Sequence, residues 1–245
     1  MLTRRLRQLR KAVRLAGTPL YRRGLVQGTA AAIEHASVLQ SLRPSFIVDV
    51  GANAGQFSLL ARQLCPTAPI VAFEPLAAAA ARYRRLFAGD AATRLEQVAI
   101  GAAAGQATLH VSRRDDSSSL LPIGPLQTAT FAGTGEAGTE AVAVAPLSAY
   151  LSPSDIPAGA LLKIDVQGYE LPVIEGCGAL LAAFGHVYVE LSFIELYEGQ
   201  ALAGAAMERL IGAGFRLVSL GNASFAGNGS IIQADFLFRR QGPAP

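Results

Sequence analysis

Seven residues of this chain have the types and spacing to hold a nucleoside-bearing ligand and to act on it. Asp49, Gly51, Asn53 and Gly55 fall within Phe46-Ile-Val-Asp-Val-Gly-Ala-Asn-Ala-Gly55. Glu74 follows the apolar run Ile-Val-Ala-Phe at 70–73, and Asp165 and Glu190 stand at the ends of two later apolar runs. Glycine lets a backbone approach a ligand closely and take conformations closed to other residues. In open α/β sheets, ligands collect at the carboxyl ends of the strands, where Gly51 and Gly55 would fall. A carboxylate ending the next strand can accept hydrogen bonds from both ribose hydroxyls, the part assigned to Glu74.

The glycine spacing separates two ligand classes. A dinucleotide site needs G-x-G-x-x-G, whose second glycine seats the pyrophosphate on a helix N-terminus. Here Asn53 holds that middle position, and Asp49 would repel a pyrophosphate. A carboxylate before the turn suits a cationic, amine-bearing ligand such as S-adenosylmethionine. A nicotinamide-dependent oxidoreductase is thereby disfavoured. A non-catalytic cofactor-binding scaffold is a third reading, against which Asp165 and Glu190 argue.

Positioning these residues requires alternating strands and helices. The apolar, β-branched run 46–50 reads as a buried strand, 55–64 as a helix, 70–73 as a strand and 77–87 as a helix closing at Gly89. Residues 95–100 read as a third strand, and 107–112 as a strand hairpinned with it. Strands follow at 161–166 and 187–191, with helices at 171–181 and 201–212. Segments 215–220 and 234–238 close the chain as two strands without a helical crossover. The expected fold is α/β: a doubly wound, mostly parallel sheet with one antiparallel edge strand. Residues 115–141, rich in Ser, Thr, Gly and Pro, read as a structureless functional loop or lid. Ahead of the first strand, 25–42 reads as one helix ended before Pro44.

Composition narrows the class further. The chain has 245 residues, enough for one well-buried domain, and its 51% hydrophobic content argues against disorder. No run of 18 apolar residues free of charge and proline appears, so the mean hydropathy of +0.34 implies no membrane span. Cys65 and Cys177 lack metal-ligand spacing and read as buried free thiols. The net charge of +3 is uneven. Residues 1–23 carry eight basic side chains and no acid, and the remainder is net −5. The pI of 9.1 therefore describes a tail and gives no case for nucleic-acid binding. Leu2, Leu6, Leu9 and Val13 stand near helical spacing among the arginines, a pattern for a basic amphipathic helix on an anionic membrane surface. With no apolar h-region after the charges, the expected location is cytoplasmic, and the tail reads either as a solvated leader helix packing loosely on the domain or as a peripheral contact at the inner membrane surface. Residues 1–45 are read as tail and leader helices, and 46–240 as the domain.

With its second half included, the chain resembles the FkbM family of S-adenosylmethionine-dependent methyltransferases. The matching pieces are FIVDVGANAGQFS at 46–58, VAFEP at 71–75, VAIG at 98–101, the serines 117–119, LLKIDVQGYELPVIEGC at 161–177 and VYVELSFIELYEG at 187–199. The resemblance implies a class I methyltransferase (Rossmann-like) fold and O-methylation, often of a hydroxyl on a sugar, glycan or natural product. It carries Asp49, Gly51, Asn53, Gly55 and Glu74 over as cofactor-binding residues. It also places Val98 and Ala99 beside the adenine.

Methyl transfer from a sulfonium is an in-line displacement, so the protein must align the nucleophile and manage its proton. Asp165 is read as base or acceptor orienter and Glu190 as a supporting acid. Asp165 could instead orient the Gln167-Gly168 turn, and Glu170 could serve the helix that follows. Ser119, Tyr169, Glu170 and Tyr197 are the candidate acceptor-pocket residues. The pair Asp165 and Glu190 could hold Mg²⁺, but no third ligand presents itself and no metal is assigned. His35, His110 and His186 have no partner spacing and read as structural. Oligomeric state is not legible.

Overall fold

The computed structural model describes residues 17–242. The amphipathic helix expected over 2–13 lies outside the described residues. Among those described, no helix is long and apolar enough to cross a membrane.

The central sheet has seven strands. In chain order they are β1 (Ile47–Val50), β2 (Ile70–Phe73), β3 (Thr93–Glu96), β7 (Leu161–Ile164), β8 (His186–Ser192), β9 (Phe215–Phe225) and β10 (Ile231–Arg240). Their spatial order is β3-β2-β1-β7-β8-β10-β9, parallel throughout except for β10. The expected antiparallel strand is thus β10, inserted between β8 and the outermost β9. β1, β2 and β7 are buried at every position, as central strands covered on both faces must be.

Helices α3 (Gln56–Leu64), α4 (Ala77–Leu86), α6 (Glu170–Gly176) and α7 (Ala203–Gly212) match the expected segments, with 178–183 tightening into a 3₁₀ turn. On one face Val48, Val50, Leu162 and Ile164 pack with Val173, Ile174 and Leu210. On the other, Ile47, Ile70 and Leu161 pack with Leu59, Leu60 and Tyr83. Strand register sets Asp49, Lys163 and Tyr188 side by side across β1, β7 and β8, so all three share that second face.

Four expectations are corrected. The single helix over 25–42 is two: α1 (Pro19–Val26) and α2 (Ala36–Leu42), separated by a 3₁₀ turn at Ile33–His35. Gly28, at φ +79°, ends the first helix. The third strand divides, because β3 pairs with β2 whereas β4 (Ala99–Ile100) leaves for a small second sheet. That sheet has the order β4-β6-β5, with β5 (Gly105–Ser112) and β6 (Glu136–Ala145). β5 therefore makes its hairpin ladder with β6 and not with its predecessor. The supposed structureless stretch contributes β6 and a helix, α5 (Pro125–Thr130). Its strand escapes notice because Ala, Gly, Thr and Glu dominate 136–145, and a long-range ladder decides where propensity is weak.

The expected boundary at 45/46 does not coincide with a gap in packing. Tyr21, Ala31 and Leu39 are buried in the same apolar layer as Ile47 and Leu59.

Candidate active site

The turn after β1 is built to come close to what lies above it. Gly51 (φ +75°) and Gly55 (φ +95°) take left-handed conformations, and Asn53 (φ +46°) does so with a side chain. A Cβ on Gly51 would stand 1.8 Å from the carbonyl oxygen of Asp165, so no other residue fits. Both the Gly51 and Ala52 amides donate to the carbonyl of Phe73 at 3.0 Å, tying the turn to β2.

Glu74 closes that tie. Its Oε2 accepts from the Asn53 amide and its Oε1 from the Leu76 amide, each at 2.8 Å. Burial pushes its carboxyl up to about 7, against the pull of these two amides. Each oxygen keeps a lone pair for a ligand hydroxyl. The cavity above the turn is walled by Gly51, Asn53 and Glu74 at one end, with Val98, Ala99 and Leu109 forming an apolar slot beside them. Asp165, Gln167, Tyr169 and His35 wall the remainder.

The polar turn fits a methionine moiety, the carboxylate a ribose and the slot an adenine, so this chain's residues fit S-adenosylmethionine. Gly51, Asn53, Glu74, Val98 and Ala99 line the cavity as expected. Asp49 and Gly55 do not. Asp49 is fully buried beneath the turn, where its Oδ2 accepts from Ser58 at 2.7 Å and its Oδ1 lies 3.1 Å from Lys163 Nζ. Gly55 faces Tyr83 and Phe87, and a Cβ there would meet the Phe87 ring at 2.8 Å. Both shape the turn from behind.

Asp165 is in the cavity wall with 38% of its side chain exposed. Its Oδ1 accepts from Gln167 Nε2 at 2.7 Å, and Lys163 Nζ lies 3.7 Å from Oδ2. Glu190 is not in that wall: its oxygens accept from Gln233 at 2.7 Å and from Gln167 at 3.2 Å. Burial first, and then the charges of Asp165 and Asp235, push its carboxyl well above the usual range. It braces Gln167 from below.

Of the acceptor-pocket residues, Ser119 and Tyr169 reach the cavity. Ser119 Oγ also donates to the Gln167 carbonyl at 2.6 Å. Glu170 is turned inward, accepting from the Val166 and Gly168 amides at 3.2 and 3.0 Å, which makes it a turn-holding residue. Burial pushes its carboxyl up to about 7. Tyr197 is 1% exposed and shares its proton between the Ser117 carbonyl and Gln167 Oε1, at 3.0 and 2.9 Å, so it too lies behind the wall. Among the described residues, no group of three or more His, Cys, Asp or Glu is arranged to hold a metal ion.

Three further residues shape the site. Lys163 is 6% exposed and joins the Gly51 carbonyl (2.9 Å) to Asp49 and Asp165. Burial alone would lower its ammonium, but the two aspartates outweigh that and hold it raised. A lysine inside Leu-Leu-Lys-Ile was a legible signal, because a buried charge demands a partner. Gln167, at φ +56°, projects from a left-handed turn to join Asp165, Glu190 and Tyr197, which no local pattern announces. His35, expected to be structural, lines the cavity.

A glycine turn after β1, an acid after β2 and the order 3-2-1-7-8-10-9 with its reversed strand define a class I S-adenosylmethionine-dependent methyltransferase. The methyltransferase FkbM domain matches residues 49–217, and the chain belongs to that family. Over 170 residues it is 31% identical to the 2-O-methyltransferase NoeI of Sinorhizobium fredii (strain NBRC 101917 / NGR234), covering 67% of this chain and 70% of that protein. The structure of methyltransferase FkbM from Methylobacillus flagellatus KT aligns with a TM-score of 0.51 at 12% identity. That alignment covers 80% of this chain and 44% of the other, so this chain spans under half of that protein's length.

Proposed function

We propose that this protein transfers a methyl group from S-adenosylmethionine to a hydroxyl of a sugar, glycan or natural product. The observation that carries the reading is the carboxylate of Asp165, fixed by Gln167 and Lys163 in the wall of the same cavity as the Gly51 turn and Glu74. Similarity to a 2-O-methyltransferase supports a hydroxyl acceptor.

When bound, S-adenosylmethionine supplies a methyl group made electrophilic by its sulfonium. The chain's own part is alignment. Glu74 accepts hydrogen bonds from the ribose, and the Gly51 turn seats the amino-acid end. Asp165 accepts a hydrogen bond from the acceptor and fixes its approach. Orienting reactants in this way removes much of the entropic barrier to displacement.

Titration calorimetry with S-adenosylmethionine, S-adenosylhomocysteine and NAD tests the donor. Binding of the first two without NAD is expected, and tight NAD binding alone would sink the reading. Methyl-labelled cofactor with a panel of methyl pyranosides and phenols then tests the acceptor. Asp165→Asn should lower the transfer rate with S-adenosylhomocysteine affinity kept, and an unchanged rate removes its assigned role.

A further inference from the structure

His35 arrives at the cavity from outside the parallel core, on the 3₁₀ turn before α2, and its ring is held on several sides. It stands edge-on to Phe57 and to Tyr188, with centroids 5.7 and 5.6 Å away. Its Nδ1 lies 2.8 Å from the Tyr188 hydroxyl and 3.2 Å from Asp235 Oδ2. That carboxylate oxygen also accepts from Tyr188 and from Asn222, at 2.8 and 2.7 Å. Burial would raise the Asp235 carboxyl, but the hydrogen bonds it accepts from His35, Asn222 and Tyr188 outweigh it and hold Asp235 low.

Nδ1 also lies 3.3 Å from Asn222 Nδ2, but that amide donates at 2.7 Å to Asp235, and an ionised carboxylate beside Nδ1 favours the proton on that nitrogen and the lone pair on Nε2. Nε2 makes no hydrogen bond to any other described residue, and His35, its side chain 19% exposed, is among the residues that line the cavity. The groups facing the ring are Glu34 beside it, Phe57 from α3, Tyr188 from β8, Asn222 from β9 and Asp235 from β10. Lys163 lies beyond Phe57, 5.8 Å from that ring's centre. Asp165, by contrast, already spends its charge on Lys163 and Gln167.

We propose that His35, oriented by Asp235, is the proton acceptor for the hydroxyl that receives the methyl group. The proposal rests on the methyltransferase reading above. As the acceptor oxygen bonds to the methyl carbon, the carbon–sulfur bond breaks and its electron pair stays on sulfur. The hydroxyl proton passes to Nε2, and the imidazolium is stabilised by Asp235 until solvent removes the proton.

Two readouts test this in the full-length chain. The first needs no turnover: ¹⁵N NMR of histidine-labelled protein, with His35 assigned by its loss in His35→Gln. The neutral ring is expected as the Nδ1–H tautomer, and Asp235→Asn should mix the tautomers. An Nε2–H ring in the wild type, or a ring indifferent to Asp235→Asn, overturns the proposal. The second uses the methyl pyranoside turned over fastest in the panel. His35→Gln should lower kcat about 100-fold and remove the acid limb of its pH profile, a loss within the range of general-base catalysis. Affinity for S-adenosylhomocysteine should stay within about twofold. A kcat within threefold of wild type, or a parallel loss of S-adenosylhomocysteine binding, overturns the base assignment. If His35→Gln does not fold, Asp235→Asn decides: its acid limb should move to lower pH, and an unmoved limb overturns the assignment. Wild-type protein that binds no S-adenosylhomocysteine, or methylates no pyranoside, fails the underlying hydroxyl-acceptor reading instead and leaves the NMR result standing by itself.

Discussion

The two ends of the cavity are built by different means. The donor end is made of backbone: three left-handed residues after β1, paired amides on the Phe73 carbonyl, and a carboxylate one strand away. Its parts lie within 50 residues of one another. The acceptor end is made of side chains, some joined locally as Asp165 is to Gln167, others to partners more than 100 residues away, as Lys163 is to Asp49 and His35 to Tyr188 and Asp235. A backbone site tolerates little change of shape, whereas a side-chain site can be altered one contact at a time. Lys163 is where the two ends meet, since one ammonium touches the Gly51 carbonyl, Asp49 and Asp165.

Substitutions can break this contrast in order of size. Gly51→Ala should cost most, more than about 4 kcal/mol in urea unfolding, because its Cβ would overlap the Asp165 carbonyl and its φ is left-handed. Lys163→Met should cost about 3 kcal/mol by the same measurement, since it strands a fully buried Asp49 that keeps only its Ser58 bond. If both ends depend on that ammonium, S-adenosylhomocysteine affinity should fall along with stability.

Glu74 gives a pH test confined to the donor end. Its carboxyl, raised to about 7, holds its proton below that pH and is ionised above it. The ionised form is the better acceptor for ribose hydroxyls, so S-adenosylhomocysteine should bind roughly tenfold tighter at pH 8 than at pH 6. Glu74→Gln should flatten that dependence, and a slope that survives would move the ribose contact elsewhere. Tyr197→Phe should be the smallest change, about 1 kcal/mol by thermal unfolding, because only one shared hydrogen bond behind the wall is lost.

The same contrast explains which features were legible in the chain. Local signals carried Gly51, Asn53 and Glu74, because a turn and a strand end are short-range events with fixed residue demands. They misplaced Asp49 and Gly55 from wall to support, since periodicity tells which residues share a sheet face but not what covers them. Glu190 was placed at the right edge of the sheet, and Glu170 and Tyr197 were named as candidate acceptor-pocket residues. Only the packing turned them onto Gln233, backbone amides and the Ser117 carbonyl. The 115–141 segment defeated the reading because β6 owes its existence to a ladder with β5 and not to its own composition.

The sequence by itself determined the alternation of strands and helices, the adenosylmethionine-type turn and the family, all of which rest on contiguous residues. The tertiary structure alone decided which acids face the ligand, what Lys163 joins, and that His35 meets Asp235 across 200 residues of chain. Those pairings follow from strand order, and strand order is fixed by burying both faces of the sheet, a property of the whole fold that no single segment carries.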